Sequence, residues 1–389
     1  MSLVVSYFDN ATTSWPKPEP VLRTLGRFLE DASGVPRRPS HRLAVSTWEA
    51  IERTRERLAA LFGLADARRV IFTASGTDAL NLAIKGLLGS GDHAVTTALE
   101  HAAVRRPLRA LEVVGVTTTV VRVGPSGIVD PDDVRRALRP NTRLVVVSHA
   151  SNVTGAVQPV REIAELAHAH GALVLVDAGQ TAGALPFTLD DLEADLVALS
   201  GHKWLFGPPG TGALILGPRV ELSELTPLRE GATASDYPEI IQPWSLPERY
   251  EAGTVNTPGI AALGAALEWR ACLGAETLRE RLRQLTDRLT SGLAHIPGVE
   301  IVGQASERAP LVSCVVQGWR PADFGAMLES GYGILCGAGL HGAAEACRAL
   351  GAFPHGTVRF SPGWSTSDEE VDHLLAAVAE LVRAPGRAD

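Results

Sequence analysis

Seven short apolar runs separated by amphipathic segments, all between residues 68 and 217, constrain the fold of this chain more than any other feature. The runs are RRVIFTA (68–74), HAVTTAL (93–99), VTTTVVRV (116–123), TRLVVVSHAS (142–151), GALVLVDA (171–178), ADLVALS (194–200) and TGALILG (211–217). They are rich in β-branched residues and too short for helices. Between them lie helical patterns such as TDALNLAIKGLL (77–88), AAVRRPLRALEVV (102–114) and VREIAELAHAHG (160–171). Buried strands alternating with helices predict an α/β fold with a mostly parallel, seven-stranded sheet covered on both faces.

The flanking parts read differently. YFDNATTSWPKPEP is turn-rich and leads into a helix, VLRTLGRFLEDAS. SGVPRRPSHRLA (33–44) reads as a polar loop bracketed by prolines, before a second helix. After residue 255 two helices precede the short strands VEIVG, LVSCVVQ and HGTVRFSP, and a closing helix follows. This predicts a smaller α+β domain made of residues 1–17 and 256–389, beside a large domain of 18–255. No low-complexity linker separates them, so they are expected to pack together.

Composition narrows the function. A net charge of −8 without a basic block argues against nucleic acid as the partner. No apolar run reaches the ~18–20 residues of a membrane-spanning helix, and MSLVVSYFDN lacks the pattern of a signal peptide. Cys272, Cys314, Cys336 and Cys347 are scattered, which suggests neither a zinc site nor a disulfide framework. A cytoplasmic enzyme without a metal is the expectation. Of the 36 basic residues only three are lysines, Lys17, Lys85 and Lys203. Chemistry that needs a lysine amine therefore has three candidates.

In open parallel sheets ligands sit beyond the carboxyl ends of the strands. After the run 68–74 comes Ser75-Gly76-Thr77-Asp78, opening a helix. Free backbone N–H groups there suit a phosphate, although a plain N-cap by Ser75 or Thr77 would look the same. Asp177 closes the run 171–178, either as a local cap or as a partner for a cationic ring nitrogen. Ser200-Gly201-His202-Lys203 closes the run 194–200. Arginine cannot form a Schiff base, so a lysine retained at a strand end of an Arg-rich chain points to its amine. A phosphate turn, a carboxylate and a lysine on one sheet edge match the needs of pyridoxal 5′-phosphate.

With these motifs the chain resembles the class V aminotransferase superfamily of fold type I pyridoxal-phosphate enzymes, and most closely its cysteine desulfurase-like branch. The likeness runs through YFDNATTSWPKP, FTASGTDALNLA, EHAAV, HASNVTGAVQPV, VDAGQTAG, SGHKWLFGPPGTGAL, EAGTVNTPGIAALGAAL and TVRFSPGW. It implies that Lys203 holds the cofactor as a Schiff base and that Asp177 pairs with its ring nitrogen. Gln180 would bond the ring oxygen, and His101 would stack on the ring and move protons. Gly76, Thr77, Ser200 and His202 would hold the phosphate. Asn152 would lie near substrate and cofactor, and Arg359 would clamp the substrate carboxylate. Thr254 would reach the phosphate of a partner subunit, which implies a homodimer with its site at the interface.

One departure stands out. Desulfurases of this branch carry a His-Cys pair before the last strand, and that cysteine takes the sulfur as a persulfide. Here His341, a candidate substrate contact, is followed by Gly342, and Gly337 stands where an arginine is often found. Cys336, placed in a Gly-rich loop, is the candidate to take over as nucleophile; Cys347 is expected on a helix. The alternative is that both are buried small hydrophobes. The resemblance thus implies a desulfurase-like or C–S lyase reaction on cysteine or a cysteine derivative, with any sulfur acceptor unidentified. Transamination or epimerisation without sulfur chemistry is the competing reading.

Overall fold

The computed structural model describes residues 5–30, 41–233, 240–303 and 305–383. Most of the loop expected at 33–44 therefore lies outside the described residues. The chain starts with strand β1 (Ser6–Phe8) and helices α1 (Glu19–Glu30) and α2 (Arg42–Leu61). The large sheet then forms from β2 (Val70–Thr73), β3 (His93–Thr97), β4 (Thr117–Val121), β5 (Thr142–Ser148), β6 (Leu173–Asp177), β7 (Leu196–Ser200) and β8 (Gly212–Leu216). Each strand falls inside one of the seven apolar runs. The helices among them are α3 (Gly76–Leu87), α4 (Ala102–Leu111), α5 (Pro131–Ala137), α6 (Val160–Ala169) and α7 (Leu189–Leu192).

The strand order is β2-β8-β7-β6-β5-β3-β4. All neighbours are parallel except β8, which runs antiparallel to β2 and β7. Alternation along each strand feeds two cores. Val145 and Val147 of β5 enter one, and Leu144 and Val146 enter the other. Helices cover both faces, which is why the strands are apolar throughout rather than on alternate residues.

After β8 come α8 (Thr257–Leu273) and α9 (Ala275–Ala294), then β9 (Val299–Ile301), β10 (Val312–Val316), α10 (Pro321–Tyr332), β11 (Ile334–Gly339), α11 (Ala344–Ala349), β12 (Thr357–Phe360) and α12 (Asp368–Arg383). The second sheet has the order β1-β11-β12-β10-β9. The N-terminal strand thus belongs to the smaller sheet, pairing parallel with β11. The division expected after residue 255 falls just before α8. That helix packs against α1 and α2, and its Ile260, Leu263 and Leu267 join the large core. The core of the small sheet begins with α9, through Leu285, Leu289 and Leu293.

The loop position expected for Cys336 needs correction. Cys336 lies on β11, aligned with Phe8 of β1. The run Gly337-Ala338-Gly339 has little strand propensity by itself. Pairing with β12, Gly337 opposite Arg359, overrides it.

Candidate active site

A cavity of about 530 Å³ opens beyond the carboxyl ends of β2, β3, β5, β6 and β7, with β11 and β12 of the small sheet on its far side. Of the candidate site residues expected from the sequence, Thr254 and Cys347 lie outside its lining and the others line it. Thr254 is exposed in the single chain. Its loop is tied down by Glu251, which accepts bonds from Phe72 N (2.7 Å) and from the buried Arg55 guanidinium (2.7 and 3.1 Å).

Lys203 and Asp177 converge on Gly179. A Cβ at that glycine would sit 2.9 Å from Asp177 Oδ1 and 3.7 Å from Lys203 Nζ. Asp177 Oδ1 accepts a bond from Gly179 N at 2.8 Å. Burial lowers the Lys203 pKa to about 8, with Asp177 opposing the shift. An amine so displaced gives up its proton near neutrality, as both imine formation and base catalysis require.

The phosphate end is built from a helix start. Ser75 is the N-cap of α3, its hydroxyl accepting from Asp78 N at 3.1 Å. The capping reading therefore holds, and it leaves the first-turn N–H groups of Gly76 and Thr77 for a ligand. A Cβ at Gly76 would come 2.6 Å from Ser200 Oγ, so glycine lets the turn lie against that hydroxyl. Nδ1 of His202 is buried without a hydrogen-bond partner. Burial lowers its pKa to about 4, so the ring is neutral. An orphaned ring nitrogen, open helix-start N–H groups and a hydroxyl fit a phosphate group; an acid and an amine at the other end fit the pyridine ring and aldehyde. The residues present therefore suit pyridoxal phosphate.

His101 caps α4, its Nδ1 accepting from Ala103 N at 3.1 Å. Burial, partly opposed by Asp177, lowers its pKa. The ring is thus neutral with Nδ1 as acceptor, which leaves the proton on Nε2. That atom faces Gly342, where a Cβ would lie only 2.5 Å away. Gly342 has φ +69°, in the left-handed region that favours glycine, and its carbonyl accepts from Ala102 N at 2.8 Å. The loop therefore lies flat on the start of α4. Gly342 lacks a thiol, and the imidazole occupies the room a thiol would need.

Arg359 is buried on β12. Its Nη1 donates to Asn152 O (3.0 Å), and its Nη2 donates to Asp9 Oδ1 (3.0 Å) and Thr12 Oγ1 (2.8 Å). Its Nε is buried and has no hydrogen-bond partner. Asn152 Nδ2 donates to His341 O at 2.7 Å. The His341 ring is turned to Thr357, Nε2 lying 2.9 Å from its hydroxyl, and burial takes its pKa to about 3. Its side chain is therefore engaged with β12, while its backbone shapes the cavity.

Cys336 borders the cavity and is half-buried, with its thiol turned toward α10. Side chains alternate along a strand, so its thiol lies on the face opposite Gly337 and packs toward the small core. The position of a Cβ at Gly325 of α10 is 3.7 Å from Sγ. Burial pushes its pKa up to about 12. Cys347 is buried on α11 and lies outside the cavity lining.

Sequence reasoning assigned no role to Asp9 or Glu100, although both stand in motifs it singled out, YFDN and EHAAV. Asp9 orients Arg359. Glu100 is buried beside His101 and accepts from Thr97 Oγ1, Ser148 Oγ (both 2.6 Å) and Ser148 N (3.1 Å). Burial raises its pKa to about 7. An acidic residue among apolar neighbours directly before His101 was the available signal.

Comparison with known proteins agrees with this geometry. The aminotransferase class-V family profile matches residues 6–374. A probable cysteine desulfurase of Methanothermobacter thermautotrophicus is 32% identical over 96% of this chain and 94% of its own length. A longer probable cysteine desulfurase of Mycolicibacterium paratuberculosis is 34% identical over 96% of this chain, which spans 55% of that protein. The apo structure of a cysteine desulfurase from Thermococcus onnurineus NA1 superposes with a TM-score of 0.89 at 31% identity, covering 97% of this chain and 94% of that one. Among the described residues no helix is long and apolar enough to cross a membrane. The chain belongs to the class V aminotransferase family, in its cysteine desulfurase-like branch, and is a pyridoxal-phosphate-dependent enzyme.

Proposed function

We propose that this enzyme cleaves the C–S bond of cysteine or a cysteine derivative and releases the sulfur without a protein thiol at residue 342. The single observation that carries this reading is the contact of Gly342 with His101, set in a cavity whose cofactor and carboxylate groups are otherwise complete.

Pyridoxal phosphate, when bound, supplies an electron-accepting ring that stabilises negative charge at the substrate Cα. In this reading Lys203 anchors it, Asp177 keeps its ring nitrogen protonated, and Gly76, Thr77, Ser200 and His202 hold its phosphate. Arg359 takes the substrate carboxylate through its free Nε, held in place by Asp9 and Asn152. Lys203 Nζ removes the Cα proton. The Cβ–S electron pair leaves on sulfur, and His101 Nε2–H donates a hydrogen bond as charge develops there. The partner subunit is assigned the Thr254 contact to the phosphate, which makes the working unit a homodimer. The four thiols are all free, in keeping with a reducing cytoplasmic setting.

The test is a panel of cysteine, S-substituted cysteines and other amino acids given to the holoenzyme. Pyruvate and ammonia in step with free thiol or sulfide support the reading. Alanine with a persulfide on the protein would overturn it. Amino-group transfer or Cα inversion alone would support the aminotransferase or epimerase alternative.

A further inference from the structure

Trp204, the residue after Lys203, is completely buried. Its indole Nε1 donates to Gln180 Oε1 at 3.2 Å, and Gln180 Nε2 donates to Ala11 O at 3.1 Å. An indole N–H can only donate and a backbone carbonyl can only accept. Both partners therefore demand the same orientation of the Gln180 amide. Flipping it would set two donors face to face on one side and two acceptors on the other. The amide nitrogen carries a second hydrogen, and Gln180 lines the cavity.

Trp204 is itself held firmly. Gly183, at φ +95°, packs so closely that a Cβ there would lie 2.4 Å from the Trp204 carbonyl oxygen. The Gly183 carbonyl accepts a bond at 2.6 Å from Arg270, which is buried on α8. The indole is thus a fixed reference for the amide.

We infer that Trp204 is a positioning residue, whose indole N–H locks the Gln180 amide so that it presents a donor, and never an acceptor, to the ring oxygen of the cofactor. This rests on the reading that pyridoxal phosphate occupies the cavity. A donor at that oxygen stabilises its negative charge and weakens its hold on a neighbouring proton. The lock therefore lowers the pH at which the bound cofactor changes its absorption.

The test is W204F, which removes the N–H and keeps an aromatic ring, in purified holoenzyme. The pH midpoint of the cofactor's absorption change should rise by about half a unit, and cofactor binding should weaken about 2- to 10-fold, as for one hydrogen bond. In a Q180A background W204F should produce neither change. Packing loss alone would act in both backgrounds, so equal shifts overturn the inference, as does no shift at all. Independently of that variant, the Trp204 indole N–H should exchange faster in Q180A than in the wild type; equal exchange also overturns it. A wild-type enzyme with no cofactor band refutes the functional reading, whereas a band that W204F leaves unmoved refutes only this inference.

Discussion

Placing a side chain at residue 342 should damage the site rather than equip it. In Gly342→Ala the new Cβ would lie 2.5 Å from His101 Nε2 and 2.8 Å from Cδ2, well inside contact distance. The loop cannot simply lift, because its carbonyl is bonded to Ala102 N at 2.8 Å. The imidazole cannot simply rotate without losing the 3.1 Å cap bond from Ala103 N. A left-handed conformation costs a non-glycine residue about 1–2 kcal/mol, and a lost cap about 1 kcal/mol. The expected destabilisation is therefore about 2–3 kcal/mol. Gly342→Cys should lose as much, since it adds the same Cβ. Denaturant unfolding of the two variants and the wild type measures the loss. Mass spectrometry after exposure to cysteine measures any persulfide. Both variants should be destabilised alike, and G342C should carry no sulfur on the introduced thiol. If G342C is as stable as the wild type and accumulates a persulfide there, the claim that the imidazole fills the thiol's place is wrong.

Three other outcomes follow from the same geometry. Arg359→Ala removes the charged partner expected for the substrate carboxylate, so KM for amino acids should rise about 10- to 150-fold; an unchanged KM in steady-state kinetics would take Arg359 out of the clamp. Glu251→Ala leaves the fully buried Arg55 without its main counter-charge, which should cost about 3–5 kcal/mol in urea unfolding; a loss below about 1 kcal/mol, the size of a surface pair, would contradict the buried pair. The Glu100 pKa is raised from 4.5 to about 7 by burial. The folded state thus holds a proton that the unfolded chain releases, so this contribution to stability is complete below pH 4.5 and is lost as pH rises through about 7. Wild-type stability should fall more steeply than that of Glu100→Gln over that window; parallel profiles would show that Glu100 is not the group responsible.

Much of the site was legible because it is assembled from strand ends. A parallel α/β sheet brings the carboxyl ends of its strands to one edge, so Asp177, Ser200 and Lys203 could be grouped without knowing the strand order. Cys336 was misplaced for the opposite reason. Gly337 and Gly339 read as loop, and only pairing with β12 draws them into a strand and turns the thiol toward the small core. Asp9 and Arg359 lie 350 positions apart and meet because β1 and β12 flank β11. No local pattern reports such a contact.

The amino-acid order by itself determined the alternation of buried strands and helices, the residue types at the strand ends and the absence of a thiol at 342. These are local facts, set by side-chain periodicity and chemistry. Tertiary structure alone decided that His101 fills the place of that thiol, that Cys336 sits in a strand between the cavity and the small core, and that Trp204 orients Gln180. Each of these depends on which surfaces meet when distant strands pair and the two sheets pack, and steric exclusion and hydrogen-bond direction act only between groups already brought together.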